Sequence, residues 1–180
     1  RWTYRDLLEV SNRIANVLVD DLGLVPGGRV LLRGANHPML VACWFAVLKA
    51  GGVVVCTMPL LRVRELRYTI DKAKIALALT DTRVAADCEA AAESCRVVHY
   101  NTSDAPGSLE ALMRAKPATF TNVDTAADDT ALIAFTSGTT GQGKGTMHFH
   151  RDVLAICDCF PRYILKPDID DVFIGSPPLA

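Results

Sequence analysis

The densest run of chemically suggestive residues is Thr136-Ser137-Gly138-Thr139-Thr140-Gly141-Gln142-Gly143-Lys144-Gly145. Four glycines, three threonines, a serine and one lysine follow directly on an apolar run, Ala131 to Phe135, that reads as a β-strand. Glycines let backbone N–H groups turn inward, hydroxyls donate to oxygens, and a lysine brings a mobile positive charge. Those are the requirements of a polyphosphate cradle. The same residue types also make an ordinary solvated turn, so composition alone leaves both readings open.

A Walker A loop is the obvious competitor, because Gly138, Gly143 and Lys144 satisfy most of G-x-x-x-x-G-K-[ST]. The pattern fails at its last position, where Gly145 stands in place of the hydroxyl that would hold magnesium. A P-loop also opens straight into a helix, whereas Thr146-Met147-His148-Phe149-His150 alternates like a strand and the helix is expected only from Arg151 and Asp152. Walker A is the weaker reading. On such a strand His148 and His150 would share one face. Two ligands without a nearby third do not make a metal site, so no metal is assigned to protein side chains, and each histidine reads as a core or hydrogen-bonded residue. His37 and His99 stand alone and read as surface or turn residues.

The elements that must position this loop alternate along the chain. Tyr4, Leu7, Leu8, Ser11, Ile14, Ala15 and Leu18 fall on one helical face, with Thr3 placed to cap it. Pro26-Gly27-Gly28 turns the chain into a strand at Arg29 to Leu32, and a helix nearly apolar all round starts at Pro38 and stops at Gly51-Gly52. Val53 to Cys56 is a continuous run of the kind buried on both faces of a sheet. Helix 62–73 then precedes a strand at Ile75 to Leu79, and helix 83–92 precedes a strand at Arg96 to Tyr100. After a short helix at Ser108 to Ala115, a stretch rich in Thr, Asp and Ala reads as a connector up to residue 127. The expected fold is α/β, a largely parallel sheet with helical crossovers. Its organisation would be a first α/β subdomain over residues 1–127 and the start of a second over 128–180.

Composition excludes several classes. With 180 residues, 22% of them charged, and a net charge of −1, the chain lacks the basic footprint of a nucleic-acid binder. Arg62, Arg64 and Arg67 read as the solvated face of one helix. Met39 to Leu48 is the longest apolar run, about half of the roughly 20 residues needed to span a bilayer, so no membrane partner is expected. Cys43 and Cys56 read as small core residues, and Cys157 and Cys159 as pointing to different sides of one helix. With no paired C-x-x-C, reduced thiols in a cytoplasmic protein are the expectation.

Phe135-Thr136-Ser137-Gly138-Thr139-Thr140-Gly141, then Lys144-Gly145 and His148-x-His150, resembles the signature phosphate-binding loop of the adenylate-forming superfamily, which includes acyl-CoA synthetases, peptide-synthetase adenylation domains and luciferases. Trp2-Thr3-Tyr4-Arg5-Asp6-Leu7 and Val47-Leu48-Lys49-Ala50-Gly51-Gly52-Val53 resemble two upstream family blocks, in the right order. The wording from Lys144 to Asp152, with Gly175 to Ala180, is similar to the benzoate- and 2-aminobenzoate-CoA ligase branch. The resemblance implies an ATP-dependent carboxylate-CoA ligase using ATP, Mg2+ and coenzyme A on a small carboxylic acid. Thr136, Ser137, Gly138, Thr139, Thr140 and Gly141 would wrap the β- and γ-phosphates, Lys144 would be the catalytic residue neutralising charge as pyrophosphate leaves, and His150 would sit near the nucleotide. An adenylation domain that loads a carrier protein and a non-catalytic nucleotide-binding relative are the alternatives. Where the family has Pro, this chain has Gly143, which implies a loop more costly to order. The adenine and ribose motifs, the magnesium-holding Glu and the C-terminal lid are not among these residues. A fragment inactive by itself is therefore expected.

Overall fold

A computed structural model describes residues 1–102, 104–136, 143–175, 177 and 179. The chain opens with helix α1 (Tyr4–Asn16). The Thr3 hydroxyl accepts from the Asp6 N–H, and the Asp6 carboxylate accepts from the Thr3 N–H at 2.7 Å, so two groups at the helix start satisfy each other. A wider turn over Val17–Asp21 continues α1 before strand β1 (Arg29–Arg33). Helix α2 (Pro38–Lys49) follows, and the His37 ring accepts from the Met39 N–H as its cap. Strand β2 (Val53–Thr57) then leads to helix α3 (Val63–Ala73) and strand β3 (Leu77–Asp81). Helix α4 (Ala85–Ala91), strand β4 (Arg96–Tyr100) and the short helix α5 (Leu109–Met113) complete the alternating part.

Six strands form one sheet in the order β4-β3-β1-β2-β5-β6, where β5 is Thr130–Thr136 and β6 is Lys144–Phe149. The neighbours from β4 to β5 are parallel, and β6 turns back antiparallel to β5. This is the expected α/β architecture with a largely parallel sheet. Its register follows the pleat: Val30 and Leu32 face a core shared with α1, α2 and α5, while Leu31 faces a second core under α3 and α4. Apolar side chains on both faces explain why β2 reads as an unbroken Val-Val-Val-Cys run.

Three details depart from the periodicity. The third strand begins at Leu77, not Ile75, because the Ile75 N–H bonds back to the Ile70 carbonyl at 3.0 Å and closes α3, with Lys74 in the left-handed region at φ 52°. His150 does not continue β6; it is the first residue of helix α6 (His150–Phe160). His99 does not stand alone either, since its Nε2 lies 2.8 Å from Glu89.

The polar stretch before β5 is irregular but tied down. Asn12 and Asn16 of α1 donate to the carbonyls of Ala118, Pro117 and Thr119, and the Val123 N–H bonds to the Lys49 carbonyl at 2.9 Å. Gly51 is required here: at φ 72° it lies so close to Val123 that a β-carbon would meet that side chain at 2.8 Å. Among the described residues no helix is long and apolar enough to cross a membrane.

Candidate functional site

Strands β1 to β3 and β5 deliver their carboxyl ends to one edge of the sheet, where open parallel sheets bind ligands. Under that edge sits a set of buried polar side chains. Arg33, 1% exposed at the end of β1, donates through Nε to the Val84 carbonyl and through Nη1 and Nη2 to the carbonyls of Met58, Pro59 and Leu61, all within 3.0 Å. It thereby fastens the segment between β2 and α3 to the sheet. Asp81 ends β3 fully buried and accepts from the backbone and guanidinium of Arg83 and from Asn101 Nδ2. Burial alone would push its pKa up, but the Arg83 and Asn101 bonds outweigh this and hold the carboxyl below its ordinary value. The Tyr100 hydroxyl donates to the Arg33 carbonyl at 3.0 Å, and burial drives its pKa far above the usual phenol range. The hydrogen bonds of these groups go to backbone carbonyls and to Arg83 and Asn101 within the fold. Their work is to hold the strand ends still.

The hydroxyl- and glycine-rich segment leaves the sheet at this same edge. Thr136 and Lys144 form the last facing pair of the β5–β6 hairpin, both exposed, with the Thr136 Oγ1 3.5 Å from the Lys144 carbonyl. Ser137, Gly138, Thr139, Thr140, Gly141 and Gln142 lie outside the described residues. Of the expected phosphate-binding set, the structure therefore describes Thr136 and Lys144 and brings those two together. It does not bring His150 to them. His150 follows Phe149, which faces Thr130 at the opposite end of the hairpin, roughly 17 Å along the strand from Lys144. There its N–H bonds to the Asp129 carbonyl, and its ring lines a cavity of about 390 Å³ shared with Arg29, Asp129, Thr130 and Met147.

Sequence reasoning missed the buried Arg33–Asp81–Tyr100 group and also Tyr68 of α3, whose hydroxyl donates to the Gly143 carbonyl at 2.9 Å. No short-range signal marks Tyr68, since its partner lies 75 positions away. A signal for Arg33 and Asp81 was present: each is a charge closing an apolar strand. All six cysteines are free. Burial pushes the Cys56 thiol up to about 12, and burial with the neighbouring Cys88 does the same for Cys95, so neither is a thiolate nucleophile. Cys157 and Cys159 are both exposed. Among the described residues no three His, Cys, Asp or Glu side chains come together to hold a metal.

Comparison with known proteins gives the arrangement its family. The chain is 31% identical over 151 residues to YtcI, an uncharacterised acyl-CoA ligase of Bacillus subtilis (strain 168), which covers 83% of this chain and 28% of that protein. It is 33% identical over 185 residues to the 3-hydroxybenzoate-CoA/4-hydroxybenzoate-CoA ligase of Thauera aromatica, covering 97% of this chain and 34% of the relative. The apo crystal structure of MatB from Rhodopseudomonas palustris superimposes with a TM-score of 0.78 at 29% identity, over 90% of this chain and 32% of that one. The chain thus spans about a third or less of the length of these proteins. The model of the AMP-binding enzyme family matches from residue 1 to residue 180, and the chain belongs to that family.

Proposed function

We propose that these residues are the phosphate-binding part of a longer ATP-dependent carboxylate-CoA ligase that adenylates an aromatic acid of the benzoate or 2-aminobenzoate kind. The observation that carries the reading is the β5–β6 hairpin. It presents Thr136 and Lys144 on either side of a hydroxyl- and glycine-rich segment, at the ligand-binding edge of a sheet, in a chain that belongs throughout to the AMP-binding enzymes. The similarity to a hydroxybenzoate-CoA ligase supports the aromatic substrate.

In this reading a carboxylate oxygen attacks the α-phosphorus of ATP, the bond to the bridging oxygen breaks, and acyl-adenylate and pyrophosphate form. The coenzyme A sulfur then attacks the acyl carbon, AMP leaves, and the thiol proton is lost to solvent. Thr136, Ser137, Gly138, Thr139, Thr140 and Gly141 donate to the β- and γ-phosphate oxygens. Lys144 offsets the negative charge that builds on pyrophosphate. Such chemistry needs positioning and charge stabilisation more than covalent help. The described side chains do not fit a metal centre, so magnesium is assigned to the nucleotide and no step is routed through it. No phosphate contact is assigned to His150. Residues 1–127 would form a first α/β unit and 128–180 open a second, a division supported by the irregular run before β5 and the reversed direction of β6.

Carboxylate-dependent ATP–pyrophosphate exchange by the longer protein tests the proposal, with benzoate, 2-aminobenzoate and a medium-chain fatty acid. Exchange with an aromatic acid is the expected result. Exchange with the fatty acid alone keeps the mechanism and replaces the substrate class. No exchange from folded protein that binds ATP rejects the catalytic reading in favour of a binding module. The 180-residue chain alone is expected not to consume coenzyme A.

A further inference from the structure

We propose that Tyr68 is a positioning residue for the phosphate-binding segment, holding both of its stems from helix α3. The inference rests on the reading of that segment given above. The Tyr68 ring stands edge-on to Phe135, with centroids 6.4 Å apart and planes at 83°. Phe135 is the last apolar residue before Thr136. The Tyr68 hydroxyl reaches across the hairpin and donates to the carbonyl of Gly143, directly before Lys144. One side chain thus touches the chain on entry to and on exit from residues 137–142.

Such a tie adds to the backbone ladder of the hairpin. At the open end of the β5–β6 ladder, among the described residues, the one side-chain hydrogen bond between the two strands is that of the Thr136 hydroxyl at 3.5 Å, the outer limit of a hydrogen bond. Gly145 leaves the Phe135 ring open to the backbone of β6, since even a β-carbon there would lie 3.4 Å from the ring. The Phe135 ring therefore meets both the Gly145 backbone position and the Tyr68 ring, and packs against the core under α3.

Helix α3 is a rigid mount for this contact. Leu66 and Ile70 are buried beneath it, Arg33 fixes the segment leading into it, Arg62 at its cap pairs with Asp87 of α4, and Arg67 donates to the Ala90 carbonyl of α4 and pairs with Glu93 just beyond it. Holding the stems in place before nucleotide arrives removes an ordering cost from binding, which is how preorganisation raises affinity. The bond uses the carbonyl of residue 143, which proline also has, so the clamp works with either residue at that position.

The variant Tyr68→Phe in the longer protein removes the hydroxyl and keeps the ring. Losing one such bond is expected to raise the KM for ATP about threefold to tenfold, with kcat and the KM for the carboxylate within about twofold of wild type. Backbone amides of Phe135, Thr136, Lys144 and Gly145 should exchange with deuterium several-fold faster, on the order of the same factor, while those of β3 and β4 do not change. Tyr68→Leu, which loses the ring as well, should show the larger effect. Unchanged stem exchange with unchanged KM for ATP in Tyr68→Phe overturns the proposal, as does an equal rise in both KM values. If wild-type protein has no ATP-dependent activity, the phosphate reading fails while stem exchange still decides the clamp.

Discussion

Two helices of this chain, α2 and α6, both carry apolar side chains and treat them in opposite ways. In α2, Met39, Leu40, Ala42, Cys43, Ala46 and Val47 are buried between the sheet and α1. In α6 no residue is buried: Leu154 is 68% exposed and Ile156 63%, and further along Phe173 is 66% and Ile174 93% exposed. The difference is one of layers. The strands β1 to β4 have helices on both faces, whereas β5 joins β2 through a single registered pair, Val54 with Leu132, and β6 is the open edge of the sheet. The first region is a finished core. The second holds the candidate segment on the margin of that core, with Leu154, Ile156, Phe173 and Ile174 exposed.

Substitutions can break or sharpen this contrast. The largest effect is expected at Arg33: Arg33→Met removes the buried guanidinium that bonds four backbone carbonyls and should lower unfolding free energy in urea by about 4 kcal/mol. Leu66→Ala, at a site with no exposure, should cost about 3 kcal/mol. The matched change Leu154→Ala on α6 should stay within about 0.5 kcal/mol in the 180-residue chain. Equal losses at Leu66 and Leu154 would mean that α6 is covered and the contrast false.

A pH series separates the regions less strongly. The Asp81 carboxyl has its pKa lowered in the folded state, with burial opposing and the Arg83 and Asn101 bonds prevailing. A lowered folded value means the contribution to stability is complete above the ordinary aspartate range and is lost as pH falls through the folded value. The urea midpoint should therefore drop below about pH 4, and Asp81→Asn should flatten that drop while lowering the midpoint at neutral pH. The smallest effect is expected in the open region. A β-carbon at Gly143 would sit 3.0 Å from the Thr136 carbonyl, close enough that the neighbour must give by a few tenths of an ångström. Gly143→Pro should still tighten ATP binding by calorimetry about twofold to fivefold, through reduced chain freedom. Unchanged affinity would show that the glycine adds no ordering cost.

Local sequence determined a great deal of this protein. Helix caps such as Thr3 with Asp6, the Pro38 start, the Gly51-Gly52 stop and the unbroken Val53–Cys56 run are each decided by neighbours a few positions apart, so the α/β alternation was legible. The hydroxyl- and glycine-rich run from Thr136 to Gly145 stood out as a candidate because its residues are contiguous, although residues 137–142 lie outside the described ones. What tertiary structure alone decided depends on contacts between distant positions. The start of β3 moved to Leu77 because closing α3 took the N–H of Ile75. His150 was parted from Lys144 because β6 runs back along β5 and carries it to the far end. Tyr68 met Gly143 only because α3 packs over the strands that carry the loop. Periodicity tells which face of an element is apolar. It does not tell which other element will cover that face, because that choice is made by packing between segments tens of residues apart.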